Sequence, residues 1–276
     1  MNKWLRLGVF VVALFSLSGA LAFPHGGGDK DGSLSCRDNW YSDRLVGQCE
    51  MREQKLPAGP LTVDASRNGG VAIKGWDQNE ILVRARVQGA ASSQGEADQL
   101  VKQIRIETAG GKVFAVGPET TKNYQWNVSY EIFVPKRTDL SLEAYNGGIS
   151  IADVSGRIEF TGHNGGVVLK RVGGSVRGGT MNGGLVVELD GSSWNGEELD
   201  VKTTNGGIVM VIPENYSAHL ETGTVNGHLN IDFPVTVQGR IGRELAVNLG
   251  NGGPTVRAMT TNGGVKIKRT GVDASN

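Results

Sequence analysis

Along most of the chain apolar and polar residues alternate with a period of two, and one tripeptide interrupts the alternation at intervals. Asn-Gly-Gly occurs at Asn146, Asn164 and Asn182, 18 residues apart, and returns at Asn205, Asn251 and Asn262. A variant, Asn226-Gly227-His228, and an earlier copy at Asn68 complete the set. With the Asn taken as position eight, positions two and four are Leu140/Leu142, Ile158/Phe160, Val176/Gly178, Leu199/Val201, Leu220/Thr222, Leu245/Val247 and Val256/Ala258. Positions eleven and thirteen are Ile149/Ile151, Val167/Leu169, Leu185/Val187, Ile208/Met210, Leu229/Ile231 and Val265/Ile267. The Asn251 copy breaks this second set at Pro254. Glu143, Arg157, Glu159, Arg177, Asp200, Lys202 and Glu221 lie between the apolar positions. Period two with polar partners predicts half-buried strands. Position six is mostly small: Ala144, Gly162, Thr180, Thr204, Thr224 and Thr260.

Each unit therefore reads strand, bend, strand. Asn-Gly between apolar runs suits a hairpin, and equally the corner of a coil whose strands stack on those of the next coil. Parity favours the coil. A hairpin would bury position fifteen (Asp153, Arg171), whereas the next apolar residues are Val154 and Val172, one place later and close to Gly156 and Gly173-Gly174. That switch implies a second corner. The predicted fold is all-β: a single-stranded, β-helix-like solenoid of about 18-residue coils, with one short helix near 94–105. Its structural turns are Asn68, Asn146, Gly147, Asn164, Gly165, Asn182, Gly183, Asn205, Gly206, Asn226, Gly227, Asn251 and Asn262. The glycines are expected to supply positive φ there, and the Asn side chains to form a hydrogen-bonded ladder from coil to coil.

The flanking segments follow the same logic. Leu61, Val63 and Ala65 before Asn68, with Val71 and Ile73 after it, form a first, isolated coil. Ser93-Gln94-Gly95-Glu96 has capping-box spacing, and Ala97, Leu100, Val101 and Ile104 recur at helical intervals, so a helix is expected from Gln94 to pack on the β core or cap its open end. Strands are expected at 104–108, 112–116 and 126–134, the last stopped by Pro135. Residues 1–22 carry Lys3 and Arg6, an apolar run and Ala20-Leu21-Ala22, the three-part pattern of a cleaved signal peptide; a retained anchor is the alternative. The expected divisions are thus 1–22 signal peptide, 23–55 a flexible segment with one disulfide, 56–136 an irregular part, 137–270 the repeat array, and 271–276 a tail. No later stretch reaches the roughly 20 apolar residues that a membrane span needs.

Charge narrows the partners. The chain has 28 basic and 28 acidic residues, and loss of Lys3 and Arg6 leaves a slight acidic excess. No basic surplus exists to bind nucleic acid or an anionic membrane. The two cysteines, Cys36 and Cys49, are expected to form one disulfide in an exported protein; closing a loop of about 15 residues would contribute about 3 kcal/mol. His25, His163, His219 and His228 are scattered and sit in no nucleophile or metal motif, so no catalytic, cofactor or metal site is expected. The 42 glycines lie between strands and match no phosphate-binding loop. Trp76 and Trp194 are expected to cover interruptions of the repeat, since the tryptophans share no repeat position that would make an aromatic stripe.

The run Asn68-Gly69-Gly70-Val71-Ala72-Ile73-Lys74-Gly75-Trp76, then Val128-Ser129-Tyr130-Glu131-Ile132-Phe133-Val134-Pro135, then Asp139-Leu140-Ser141-Leu142 and the serial Asn-Gly-Gly units resemble the bacterial putative adhesin domains, a family with a toast-rack β fold. Over 56–269 the resemblance implies an exported, non-enzymatic repeat domain, periplasmic or at the cell surface, with an envelope protein or glycan as partner. Its candidate interaction face is Glu143, Arg157, Glu159, Arg177, Asp200 and Lys202. Two other expectations stand beside it: an envelope-stress sensing scaffold, and a polysaccharide-acting β-helix enzyme, which would need two carboxylates at a defined separation.

Overall fold

The structure, a computed structural model, describes residues 34–36, 44–65, 68–233 and 242–270. The expected leader, the glycine-rich lead-in and the tail lie outside these residues. The described chain is all-β with one α-helix, arranged as two ten-stranded mixed sheets that share one core. Among the described residues no helix is long and apolar enough to cross a membrane.

Each repeat unit gives one strand to each sheet. In the first sheet Leu140–Ala144, Ser155–Asn164, Gly173–Asn182 and Glu198–Asn205 run parallel, side by side. In the second, Ile149–Ala152, Val167–Lys170, Leu185–Glu188 and Ile208–Ile212 do the same. Like positions meet. Leu140 faces Ile158, Ile158 faces Val176, and Val176 faces Leu199, all buried. Because the side-chain period of a strand is two, this register sends every apolar row inward, where each such side chain contributes about 1.5–3 kcal/mol.

The order of stacking departs from the order of the chain. Thr255–Asn262 lies between Glu198–Asn205 and Ala218–Asn226, so the last unit is inserted before the penultimate one. Val265–Arg269 is likewise placed between Ile208–Ile212 and Leu229–Ile231. The outward charges give a physical reason. The row Glu159, Arg177, Asp200, Arg257, Glu221 alternates in sign across five neighbouring strands. Sequential stacking would set Asp200 directly beside Glu221, and like charges opposite each other on a sheet are destabilising.

Asn251 is not a corner of the array. Glu244–Leu249 turns back antiparallel along Ala218–Asn226, and Asn251 lies in the tight turn that leads to Thr255–Asn262, with Gly250 at φ 51° and Gly252 at φ 74°. Only 11 residues separate it from Asn262, too few for a strand in each sheet.

The corner glycines also do their work differently from the expectation. Gly147, Gly165, Gly183, Gly206 and Gly227 are not at positive φ. They are glycine because successive corners touch. A β-carbon at Gly165 would stand 2.2 Å from the Gly147 carbonyl oxygen, and one at Gly183 2.0 Å from that of Gly165. Beneath four of the corners a buried hydroxyl ties one to its neighbour: Thr180 donates to the Gly165 carbonyl, Thr203 to Gly183, Thr260 to Gly206 and Thr224 to Gly263. In the Asn205 unit this residue is Thr203; Thr204 is exposed.

Left-handed backbone occurs instead at the second corner, at Asp153 (φ 61°) and Arg171 (φ 49°). Their side chains join across coils as a two-pronged ion pair at 2.6 and 2.9 Å. The hydrogen bond from Arg171 holds the Asp153 carboxyl below its ordinary pKa. A depressed folded-state pKa contributes stability above the unfolded value and loses it as pH falls through the folded one. Asp153→Asn is therefore expected to cost under about 1 kcal/mol at pH 7, since the pair is about one-third exposed. The difference from the parent should vanish at a pH below the usual carboxylate range, read as converging urea midpoints.

At the other end Leu61–Asp64 and Val71–Trp76 stack directly on the Asn146 unit, so the Asn68 copy belongs to the array. Lys112–Val116 and Tyr124–Pro135 add one more parallel pair beyond it. Arg105–Glu107, Glu80–Ala91 and Val46–Pro57 then close the edges antiparallel. The helix, Gln94–Gln103, is capped by Ser93 and packs Leu100 and Val101 against the core. Arg52 donates to the Val101 and Ile104 carbonyls at its C-terminal end, where a cation is favoured. Cys36 and Cys49 form a disulfide that fastens the described N-terminal residues to the Val46–Pro57 strand.

Candidate functional site

The candidate face is the outer side of the first sheet. Parallel strands about 4.8 Å apart place its side chains in straight rows. Glu143, Arg157, Glu159, Arg177 and Lys202 are exposed there, and Asp200 is half-buried. Arg177 pairs with Glu198 in two hydrogen bonds from its guanidinium, and Arg157 approaches Glu159 at 3.8 Å. The Glu198 contact raises the pKa of Arg177. Arg257, which the sequence pattern did not single out, extends the row and approaches Glu221 at 3.7 Å. Its signal was the charge at position three, visible only once the last unit is placed between the earlier two.

One groove, about 390 Å³, crosses this face. Its floor is Gly178 and Gly179, in a strand whose neighbours carry Phe160 and Thr161 on one side and Val201 and Lys202 on the other. Gly179 has no room for a side chain, because a β-carbon would stand 2.4 Å from the Lys202 carbonyl oxygen. The walls are His163, Arg177, Met181, Lys202 and Thr204. Met181 is half exposed, and Tyr145, nearly as open, stacks on His163 with ring centroids 4.7 Å apart. Glycine within a strand often marks a place where a ligand or another backbone comes close.

Beside the face runs an amide ladder. Asn146 donates to Asn68 at 3.0 Å, Asn164 to Asn146 at 2.9 Å and Asn182 to Asn164 at 2.8 Å. Asn205 donates to Asn182, Asn262 to Asn205 and Asn226 to Asn262, each at 2.8 Å. All six bonds point the same way, toward Asn68. Sharing one donor and one acceptor per rung fixes the spacing of the corners and so keeps the neighbouring rows of the face rigid.

A second cavity, about 310 Å³, lies where the ladder stops. The strand pairing that sets Val71 opposite Tyr130 puts Asn127 one rung beyond Asn68. Asn127 is not in a tight corner. The chain instead makes a wide loop through Gly117–Asn123, and the space it leaves is lined by Asn68, Pro118, Glu119, Trp126 and Asn127. Of the other described tryptophans, Trp194 is buried and donates to the Gly174 carbonyl, and Trp76 is half-buried, donates to that of Glu80 and leans on Phe133. Among the described residues no three His, Cys, Asp or Glu side chains gather closely enough to hold a metal ion.

Comparison with known proteins gives likeness in chain outline only. No family model matches, and no curated protein matches. Among solved structures, a "putative cell adhesion protein" from Clostridium sporogenes covers 82% of this chain and 100% of its own, with TM-score 0.44 and 11% identity. A "putative adhesin" from Bacteroides fragilis covers 83% of this chain and 98% of its own, with TM-score 0.29 and 11% identity. A "putative lipid binding protein" from Parabacteroides distasonis covers 79% and 96%, with TM-score 0.30 and 9% identity.

Proposed function

We propose that this chain is an exported, non-enzymatic β-solenoid that serves as an adhesin-like interaction module of the cell envelope or surface. The observation that carries the reading is the groove over Gly178-Gly179: a backbone-floored channel on a rigid sheet, walled by cations, hydroxyls and an apolar side chain. Such a mixture suits a polar partner, a glycan or an envelope protein, gripped by hydrogen bonds from Arg177 and Lys202 with apolar contact at Met181. The Cys36–Cys49 disulfide supports an oxidising compartment. Arg177 and Arg257 stand beside the carboxylates of Glu198 and Glu221, an arrangement that suits a solvated recognition face better than a proton-transfer pair.

The test is binding of the purified chain to envelope fractions and to an immobilised glycan array. The double variant Arg177→Ala/Lys202→Ala is expected to weaken capture at least tenfold, and Glu143→Ala, farther along the face, by much less. Unchanged capture by the double variant would remove the groove from consideration. Turnover of a glycan that is lost in Glu159→Gln would replace the whole reading with an enzymatic one.

A further inference from the structure

The geometry points to a second binding site, at the open end of the amide ladder, for a sugar bearing an N-acetyl group. The ladder itself defines the missing partner. Because the Asn68 side-chain oxygen accepts from Asn146, its amide nitrogen faces the other way, toward the rung that a further coil would supply. No described residue accepts from it. Asn127 occupies that rung in register, is 8% exposed, lines the cavity and has no side-chain hydrogen-bond partner among the described residues. The Asn127 amide opens onto the cavity, so a ligand that enters meets a donor and an acceptor that no described residue uses.

The chemistry of the walls narrows that ligand. An amide ladder is continued best by another amide, which offers one acceptor and one donor in the spacing that Asn68 and Asn127 already share. Trp126 supplies a flat apolar face, held by its own bond to the Pro118 carbonyl at 2.8 Å. Gly117 makes room for it, since a β-carbon there would stand 2.8 Å from the indole ring. Glu119 and Thr120, both exposed at the rim, can take hydroxyl groups. An acetamido group against two asparagines, a pyranose face on a tryptophan and hydroxyls at a carboxylate describe an N-acetylhexosamine. A cavity of about 310 Å³ is at the small end of ligand sites and suits one terminal residue of a glycan. The site lies beyond the Asn68 corner, apart from the groove over Gly179, and does not depend on the role of that face.

The test titrates the full chain with tri-N-acetylchitotriose, with an N-acetylglucosaminyl-N-acetylmuramic acid disaccharide and with cellotriose, which has hydroxyls in place of the acetamido groups. Tryptophan fluorescence and titration calorimetry are read in parallel. At least one N-acetylated sugar should bind saturably and at least tenfold tighter than cellotriose; the tighter of the two identifies a chitin-type or an envelope glycan as the source. Asn127→Leu should lose at least tenfold in affinity yet melt no lower than the parent, because no described residue pairs with that amide. Arg177→Ala should bind these sugars like the parent, which separates this site from the groove. Absence of binding by both N-acetylated sugars, equal binding of cellotriose, or parental affinity in Asn127→Leu would each overturn the assignment.

Discussion

Gly165→Val is expected to lose more than about 3 kcal/mol of stability, or to fail to fold. The β-carbon would stand 2.2 Å from the Gly147 carbonyl oxygen, and the atom it meets is backbone, which cannot swing aside. Relief would need two corners to part, breaking the Asn164–Asn146 bond and the buried rows below them. The reason for the glycine can itself be tested. If it were needed for positive φ, Asn would be tolerated there, because Asn adopts that conformation readily. Contact between corners predicts that Gly165→Asn is as damaging as Gly165→Val. The next residue should behave otherwise: at Gly166 a β-carbon would lie 3.3 Å from the Gly184 oxygen, so Gly166→Ala should cost about 1 kcal/mol or less. Gly95→Ala, in the first turn of the helix with nothing near, should be neutral or slightly stabilising. Urea midpoints for the four variants rank them, and a tolerated Gly165→Asn would refute the stacking account.

Phe160→Ala should cost about 3–5 kcal/mol, the usual loss for emptying an aromatic side chain from a packed core. Phe160 is 3% exposed, and its ring fills the space that Gly178 leaves in the next strand. That space cannot be refilled from the other side. A β-carbon at Gly178 would meet the Phe160 carbonyl oxygen at 2.3 Å, a contact that remains when the ring is gone. Adding Gly178→Ala to Phe160→Ala should therefore destabilise further. Phe160→Leu should recover most of the loss. A double variant more stable than Phe160→Ala would show that the strands can part.

Much of the array was legible from residues alone. The parity of Leu140/Leu142, Ile158/Phe160 and Val176/Gly178 identified the inward rows, because a strand alternates its side chains without reference to anything distant. The outward set Arg157, Glu159, Arg177 and Lys202 followed by the same rule. Gly178 and Gly179 were visible too, but nothing in a one-dimensional pattern marks a gap in a row as the floor of a groove. Asn127 was hidden for another reason. Val128-Ser129 follow it in place of the glycine pair by which the other rungs announce themselves, and its place beside Asn68 exists only through the pairing of Val71 with Tyr130.

The chain's own chemistry thus determined the shape of a unit: which side of each strand is apolar, where it bends, and that one unit can stack on another. Tertiary structure decided who stacks on whom. Edges of parallel strands offer the same backbone donors and acceptors to any comer, so the period cannot choose between Ala218–Asn226 and Thr255–Asn262 as the neighbour of Glu198–Asn205. The choice rests on forces between residues far apart in sequence, among them the meeting of Arg257 with Asp200 and Glu221, and on corners close enough that only glycine fits between them.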